Sequence, residues 1–329
     1  MIKIDGSYGE GGGQILRTSI ALSCVTGKSV EIFNIRANRP KKGLAAQHLK
    51  GVEAAKMLCD AEVEGLRLGS TRLVFKPRKI RARDMRIDIG TAGSVTLIFQ
   101  TILPPLLVAD KPCKIEIIGG TDVQWSPSID YFRFVTLKAL KEMRANAEVE
   151  LIKRGYYPKG GGKVILRVNP SNLKGIAFEK EMCDVIRGIS HCSNLPEHVA
   201  ERQAKVAKTF LEERGYKTEI DVETQKGLST GSGITLFCGY KGSVSLGEKG
   251  KPAEKVGNEA ASQLYEELQS DAVFDKHLAD QVMSFAAIAN EKTVFTTSEI
   301  TKHIVSNAYV INKFFENCVK IKGNRIEIN

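Results

Sequence analysis

Three times along the chain a short β-prone stretch runs through glycine into an amphipathic helix, and this recurrence constrains the fold more than any other feature. In the first round Ile2–Asp5 reads as a strand, Gly9 to Gly13 as a turn, and Gln14–Val25 as a helix with Ile15, Ile20 and Leu22 on its apolar side. A strand at Ser29–Arg36, a helix at Leu44–Cys59 and a strand at Gly69–Phe75 follow. The second round has a strand at Met85–Ile89, a turn at Gly90–Gly93 and a helix at Ser94–Leu107. It continues with a strand at Lys114–Gly119, a helix at Asp130–Met143, and paired strands at Glu148–Lys153 and Lys163–Val168. In the third, Lys276–Ala289 is a helix, Thr293–Thr297 a strand and Ser306–Cys318 a helix, closed by a hairpin over Val319–Ile328 that turns on Gly323-Asn324. The pattern predicts an internal repeat of a ββα-type unit. Residues 178–270 differ in character, with strands of their own, a long charged helix at Pro196–Gly215 and a loop-like Thr224–Gly233. They are expected to form a small α/β domain inserted at an exposed loop.

Composition narrows the class of protein. The chain has 329 residues, enough for two or three domains, and its 42% hydrophobic and 26% charged content is that of a globular protein. No apolar run reaches the roughly 18 residues of a membrane span, and MIKIDGSYGEGGG lacks the apolar core of a signal peptide. Seven scattered cysteines without a CxxC pair point to free thiols in a reducing cytoplasm, against a zinc ribbon or disulfide scaffold. Lys plus Arg exceed Asp plus Glu by 48 − 38, or +10, which favours a polyanionic partner. The cations concentrate in Arg36–Lys42 and Lys76–Arg86, as a basic face for nucleic acid or nucleotide or as solvated surface.

Several strings could carry chemistry. The loop from Gly6 to Gln14 precedes a helix, where backbone N–H groups can hold an anion. It is neither a Rossmann nor a Walker motif. Glu10 in such a loop would oppose phosphate unless a divalent metal sat between them, which makes it a metal-ligand candidate. Lys3-Ile4-Asp5-Gly6 matches the KxDG of covalent nucleotidyl transferases, but Lys3 is better read as a strand-edge surface lysine. Arg17, Arg36, Arg39, Lys41, Lys42, Gln47 and His48 cluster within one repeat and suit phosphate binding. Arg154-Gly-Tyr-Tyr-Pro-Lys-Gly-Gly-Gly-Lys163 reads either as a close backbone approach or as a wide hairpin loop. His277, Asp280 and Gln281 share a helix face at i, i+3 and i+4, as a nucleotide pocket or a polar helix start. His303 stands among hydroxyls in a loop leading into the last helix, with no triad partners in view.

In their order and spacing, DGSYGEGGGQILR, RANRPKKGLAAQH, GTAGSVTLIFQ, GGTD, RGYYPKGGGKV, HLADQ and KHIVSN resemble the RNA 3′-terminal phosphate cyclases over nearly the whole chain. The resemblance implies an α+β fold of three repeated sheet-plus-two-helix units, each with a four-stranded sheet, forming one large domain. That domain would span 1–177 and 271–329, with repeats near 1–80, 81–177 and 271–329, and the insert 178–270 between the second and third. It implies ATP-dependent conversion of an RNA 3′-phosphate to a 2′,3′-cyclic phosphodiester by way of histidine–AMP and RNA–pp–A intermediates. Carried over by residue, His303 is the nucleophile and Glu10 ligates Mg2+ or Mn2+. Gln100, Pro127, His277, Leu278, Ala279, Asp280 and Gln281 line the ATP site, with Asp280 reading the ribose or adenine and Pro127 packing on the base. Arg17, Arg36, Arg39, Gln47 and His48 hold the RNA terminal phosphate. Family members often have Tyr at the place of His277, which alters stacking on adenine. Cyclase-like ribosome-assembly factors that do not adenylylate are the alternative, with enolpyruvyl transferases further off. Oligomeric state is left open, a homodimer among the options.

Overall fold

Parallel neighbours in a sheet need a crossover, and in the computed structural model, which describes residues 1–329, the first crossover is a buried helix. Strand β1 (Ile2–Asp5) pairs in parallel with β2 (Val30–Phe33) by way of α1 (Gln14–Thr26). Every residue of α1 from Gln14 to Cys24 is buried, because α1 packs between α3 and α9, described below. The chain returns through α2 (Ala46–Cys59) to β3 (Glu62–Glu64) and β4 (Leu73–Lys76), giving the order β1-β2-β4-β3.

The second sheet repeats that plan. β5 (Met85–Asp88), α3 (Val95–Leu107) and β6 (Cys113–Gly119) form the parallel crossover. Ser94 caps α3 by accepting from the Leu97 N–H at 3.3 Å, and Pro104 and Pro105 fall in its last turn. A helical stretch follows: α4 (Ile129–Tyr131), a π-turn (Phe132–Thr136) and α5 (Leu137–Glu142). β7 (Asn146–Lys153) and β8 (Gly162–Asn169) complete the order β5-β6-β8-β7.

The insert has β9 (Val185–Ser193), α6 (His198–Glu212), β10 (Lys217–Gln225), β11 (Gly231–Cys238), β12 (Lys241–Leu246) and α7 (Ala253–Gln269), in sheet order β10-β9-β11-β12. Its separate core holds nine buried residues against 63 in the body, so contacts with the body matter to it. Phe237 stacks on Phe134 at 4.7 Å, and the Thr235 and Ser128 hydroxyls meet at 2.8 Å.

The last part comprises α8 (Lys276–Ala286), β13 (Thr293–Thr296), α9 (Lys302–Phe314), β14 (Val319–Lys322) and β15 (Arg325–Ile328), in the order β13-β15-β14. This sheet has three strands, fewer than the four expected. The place beside β13 is taken by Ala177, which makes a single parallel bridge to Val294. The Val294 N–H donates to Ile176 O and the Phe178 N–H to Val294 O, both at 2.9 Å. Residues that the sequence assigned to the second repeat thus edge the third sheet. So short a segment carries no alternation to read, and the whole insert separates it from its partner. We read the three body sheets as copies of one unit, each with two helical segments.

Two further expectations are corrected. Cys183 and Cys238 form a disulfide that ties the entry of the insert to β11, while Cys24, Cys59, Cys113, Cys192 and Cys318 are free and buried. Partners 55 residues apart leave no short motif, and the cysteines no longer argue for a reducing compartment. The final helix starts at Lys302, four residues before the predicted Ser306, because Thr301 Oγ1 accepts the Ile304 N–H at 3.3 Å and caps it. His303 therefore belongs to the first turn of a helix. No helix is long and apolar enough to cross a membrane.

Candidate active site

The site starts at the N-terminus of α1. Gly13 caps that helix with no side-chain hydrogen bond, which leaves first-turn N–H groups open to an anion. A Cβ on Gly13 would lie 2.4 Å from His48 Nε2 and 2.9 Å from Arg17 Nη1, so only glycine lets both side chains reach the loop backbone. His48 Nδ1 accepts the Ala45 N–H at 3.1 Å, which makes Nε2 the protonated nitrogen facing the loop. Burial, reinforced by the charges of Arg17 and Arg36, brings the His48 pKa down to about 3, so the ring is neutral. Arg17 is buried; its Nε donates to Gln100 Oε1 at 2.9 Å and its Nη2 to Gln14 Oε1. Burial lowers it to about 10, and Asp280 opposes that shift, so it remains a cation at neutral pH.

The other expected phosphate ligands surround this point. Gln47 Oε1 accepts the Ser94 N–H at 3.0 Å, which fixes the start of α3. Arg36, in the left-handed region at φ 54°, donates from Nη1 to Gly43 O at 2.9 Å. Arg39 pairs with Glu10 Oε1. The other oxygen, Glu10 Oε2, lies 3.7 Å from His303 Nδ1, and both of those atoms are buried with no hydrogen-bond partner.

Two chain ends far apart in sequence thus meet at His303. Its side chain is 41% exposed although Nδ1 is buried, so the open edge of the ring carries Nε2. Burial first, then the charges of Arg17, Arg39 and His277, lower its pKa to about 4. The imidazole is therefore neutral at physiological pH, the form that can act as a nucleophile. Helix α9 is held in place by groups the sequence reading missed. Ser306 Oγ accepts the Glu10 N–H at 3.2 Å. Asn307 Oδ1 accepts from Gln14 Nε2 at 3.1 Å and Thr18 Oγ1 at 2.6 Å, and its Nδ2 donates to Asp280 O at 2.8 Å. The available signal was the polar stripe Gln14, Arg17, Thr18, at i, i+3 and i+4 on an otherwise apolar helix.

The residues expected at ATP divide into two groups. His277 acts electrostatically on His303, and Asp280 on Arg17. Burial raises the Asp280 carboxyl to about 7, with Arg17 pulling the other way. Leu278 and Ala279 lie in the core. Gln281 is buried; its Oε1 accepts from Thr136 Oγ1 and its Nε2 donates to His277 O, each at 2.9 Å. Asp275 caps α8 by accepting the His277 and Leu278 N–H groups, and it also accepts from Tyr131 OH and the Gly242 N–H. The Pro127 carbonyl accepts from Thr96 Oγ1 at 2.8 Å.

The glycine-triplet string lies elsewhere, at the joint between body and insert. Arg154 is buried, with Nη2 2.7 Å from both Asp130 Oδ2 and Glu223 Oε2 and Nη1 3.4 Å from Asp122 Oδ2. Tyr156 OH meets His191 Nδ1 at 2.7 Å, and His191 Nε2 is 3.5 Å from Asp122 Oδ1. A Cβ on Gly155 would strike Gly162 N at 2.2 Å and Gly119 O at 2.3 Å, so the glycines serve close backbone packing. Donor atoms of Asp122, Asp130 and His191 all lie within 4.8 Å of one another, but the guanidinium already supplies the positive charge there. The Lys76–Arg86 run is largely neutralised, by Lys76–Glu64, Arg78–Glu62, Arg83–Asp60 and Arg86–Glu116 pairs at 2.7–3.3 Å.

A neutral, half-open imidazole thus stands beside a carboxylate, next to arginines and an open helix N-terminus, a set of groups able to hold an anion and present a nucleophile to it. A family model described as RNA 3′-terminal phosphate cyclase matches residues 8–321. Proteins named RNA 3′-terminal phosphate cyclase are 64% identical in Archaeoglobus fulgidus (100% of both chains covered) and 52% identical in Methanococcoides burtonii (98% of this chain, 97% of that one). The one from Pyrococcus furiosus is 48% identical, over 98% of this chain and 96% of its own. The chain belongs to the RNA 3′-terminal phosphate cyclase family. An EPSP synthase structure from Acinetobacter baumannii aligns at TM-score 0.26 and 12% identity over 62% of this chain and 53% of that chain, a likeness too slight to carry an argument.

Proposed function

We propose that this chain converts RNA 3′-phosphate ends to 2′,3′-cyclic phosphodiesters at the expense of ATP, with His303 as the covalent carrier. The observation that carries this reading is a neutral His303 whose Nε2 edge is open, 3.7 Å through Nδ1 from Glu10, beside the Arg17 and His48 loop. In the first step His303 Nε2 bonds to the α-phosphorus of ATP as the bond to the bridging oxygen breaks, releasing pyrophosphate. In the second, an oxygen of the RNA 3′-phosphate displaces the imidazole, giving RNA–pp–A and restoring His303. In the third, the vicinal 2′-hydroxyl attacks the activated phosphorus, loses its proton, and AMP departs. The vicinal hydroxyl is already in place, at high effective molarity.

Arg17, Arg36, Arg39, Gln47 and His48 hold the RNA phosphate on this reading, and Gln100, expected at ATP, accepts from Arg17 and orients it. Pro127, His277 and Asp280 receive the nucleotide. Glu10 Oε2, buried and without a hydrogen-bond partner, fits a divalent cation and would hold it beside the phosphates. Such an ion, Mg2+ or Mn2+, supplies charge neutralisation at the phosphoryl groups. The non-adenylylating assembly-factor reading leaves a neutral, open His303 without a use. A cytoplasmic location is part of the proposal.

The test is incubation with α-labelled ATP and a divalent metal, then with an RNA 3′-phosphate. The protein should carry an acid-labile, alkali-stable label, and the RNA end should become phosphatase-resistant. A protein that never takes up label sinks the scheme. The acid limb of the ATP-dependent labelling rate is expected near pH 4, with a plateau down to about pH 5.5, because deprotonation of His303 is complete well below neutrality. A limb near 6.5 would show an unshielded ring. RNA binding should weaken steeply with salt, and Arg36→Gln, which removes a cation bonded to a backbone carbonyl and to no carboxylate, should reduce the log–log slope by about one. Arg78→Gln and Arg83→Gln should leave it unchanged, since both charges are already paired.

A further inference from the structure

Resting on the reading of the site above, we propose that Tyr8 is a stacking platform for a base at the 3′ end of the RNA. Tyr8 lies two residues before Glu10 and is 44% exposed. One face of its ring stacks on Tyr309 of α9, with centroids 4.1 Å apart and planes 19° from parallel. Tyr309 is itself fixed, since its hydroxyl accepts the Asp5 N–H at 3.2 Å. Half-exposed yet backed by a held aromatic, Tyr8 presents its other face to solvent in a defined orientation.

Its surroundings suit an RNA strand. The Tyr8 carbonyl accepts from Ser306 Oγ at 3.4 Å, one turn beyond His303. On the other side the Ser7 carbonyl accepts from Asn38 Nδ2 at 3.2 Å, within the Arg36–Lys42 loop. Tyr8 therefore fills the seam between the nucleophile helix and the loop assigned to the terminal phosphate. From it a shallow groove runs down α9, lined by Val305, Ala308, Tyr309, Val319 and Ile321. Lys313 stands over the Tyr309 ring at 5.6 Å, at the far part of that groove. Lys313 lines the groove, and Lys302 at the start of the same helix and Lys41 and Lys42 in the Arg36–Lys42 loop are exposed as well. Aromatic faces beside free cations form the surface on which single-stranded nucleic acid stacks its bases and rests its phosphates. The residues assigned to adenine, Pro127 and His277, come from the loop before α4 and from α8 instead, so Tyr8 is left for RNA.

The experiment measures KM for a 3′-phosphate RNA oligonucleotide with the wild type, Tyr8→Ala and Tyr8→Phe. It repeats the measurement with oligonucleotides lacking the base at the last or the next-to-last nucleotide. Tyr8→Ala should raise the RNA KM about 5- to 100-fold. Tyr8→Phe, which keeps the ring, should stay within twofold of wild type, and KM for ATP should not move. Removing one of the two bases should weaken the wild type by a similar factor and Tyr8→Ala little further. An unchanged RNA KM in Tyr8→Ala, equal losses from base removal in both proteins, or a rise in KM for ATP overturns the platform. Failure of the wild type to take up AMP or cyclise RNA overturns the underlying cyclase reading instead.

Discussion

His303→Ala is expected to abolish covalent uptake of AMP and to lower RNA cyclisation by a factor on the order of 10⁴ or more, the scale on which lost nucleophiles are felt. The loss should fall on the chemical step, since the ring is half exposed and α9 is held by Thr301, Ser306 and Asn307. Thermal stability should therefore change little. The control is Lys3→Ala: Lys3 is exposed on β1, and its variant should label normally. If His303→Ala still takes up acid-labile label, the nucleophile has been misassigned. Supplying RNA already carrying the adenylylated end separates the steps. The final closure uses the 2′-hydroxyl of the RNA, so His303→Ala should retain much of it.

Arg154→Met is expected to destabilise the protein by about 3–5 kcal/mol, because it leaves the buried carboxylates of Asp122 and Asp130 without their cation. The same surroundings hold the arginine firmly charged and, through burial, raise Asp122 and lower His191 from their ordinary values. Denaturant unfolding measures the loss. Adding Asp122→Asn and Asp130→Asn to Arg154→Met should recover part of it, since neutral amides tolerate the missing guanidinium better. A single variant as stable as the wild type would show that water reaches the joint and that the network is not closed. His303 should remain competent in whatever fraction stays folded, which separates this joint from the catalytic residues.

Much of the architecture was legible because it rests on local patterns. The first-unit strand Ile2–Asp5 was read with its observed bounds, and the helices near 14–25, 46–59 and 95–107 were read within a few residues. The change of character over 178–270 showed as a break in rhythm, and a sheet with a small core of its own lies there. What escaped depends on distant partners. Ala177 is a strand only through Val294, and Cys183 is a half-cystine only through Cys238. The position of His303 in a helix turned on one hydroxyl, Thr301.

The site divides along the same line. His303, Glu10, Arg17 and His48 were singled out, and the structure places them around one loop. Gln281 and Gln47 carry hydrogen bonds that shape the backbone as well. The string RGYYPKGGGKV was the most conspicuous in the sequence, and its arginine turns out to bind body to insert. Glycine-rich strings signal close approach of backbones, and sequence alone does not say whether a ligand or another strand is approaching.

The split third sheet also sets an order of events during synthesis. The first two sheets can close as soon as residue 169 has been made, using strands already available. Ala177 must then wait through the whole insert for Val294. The bond from Gln14 to Asn307 spans 293 residues, so the opening loop waits almost to the end for the helix that completes it. The groups around His303 can thus come together only late in synthesis, long after the Gly6–Gln14 loop has been made.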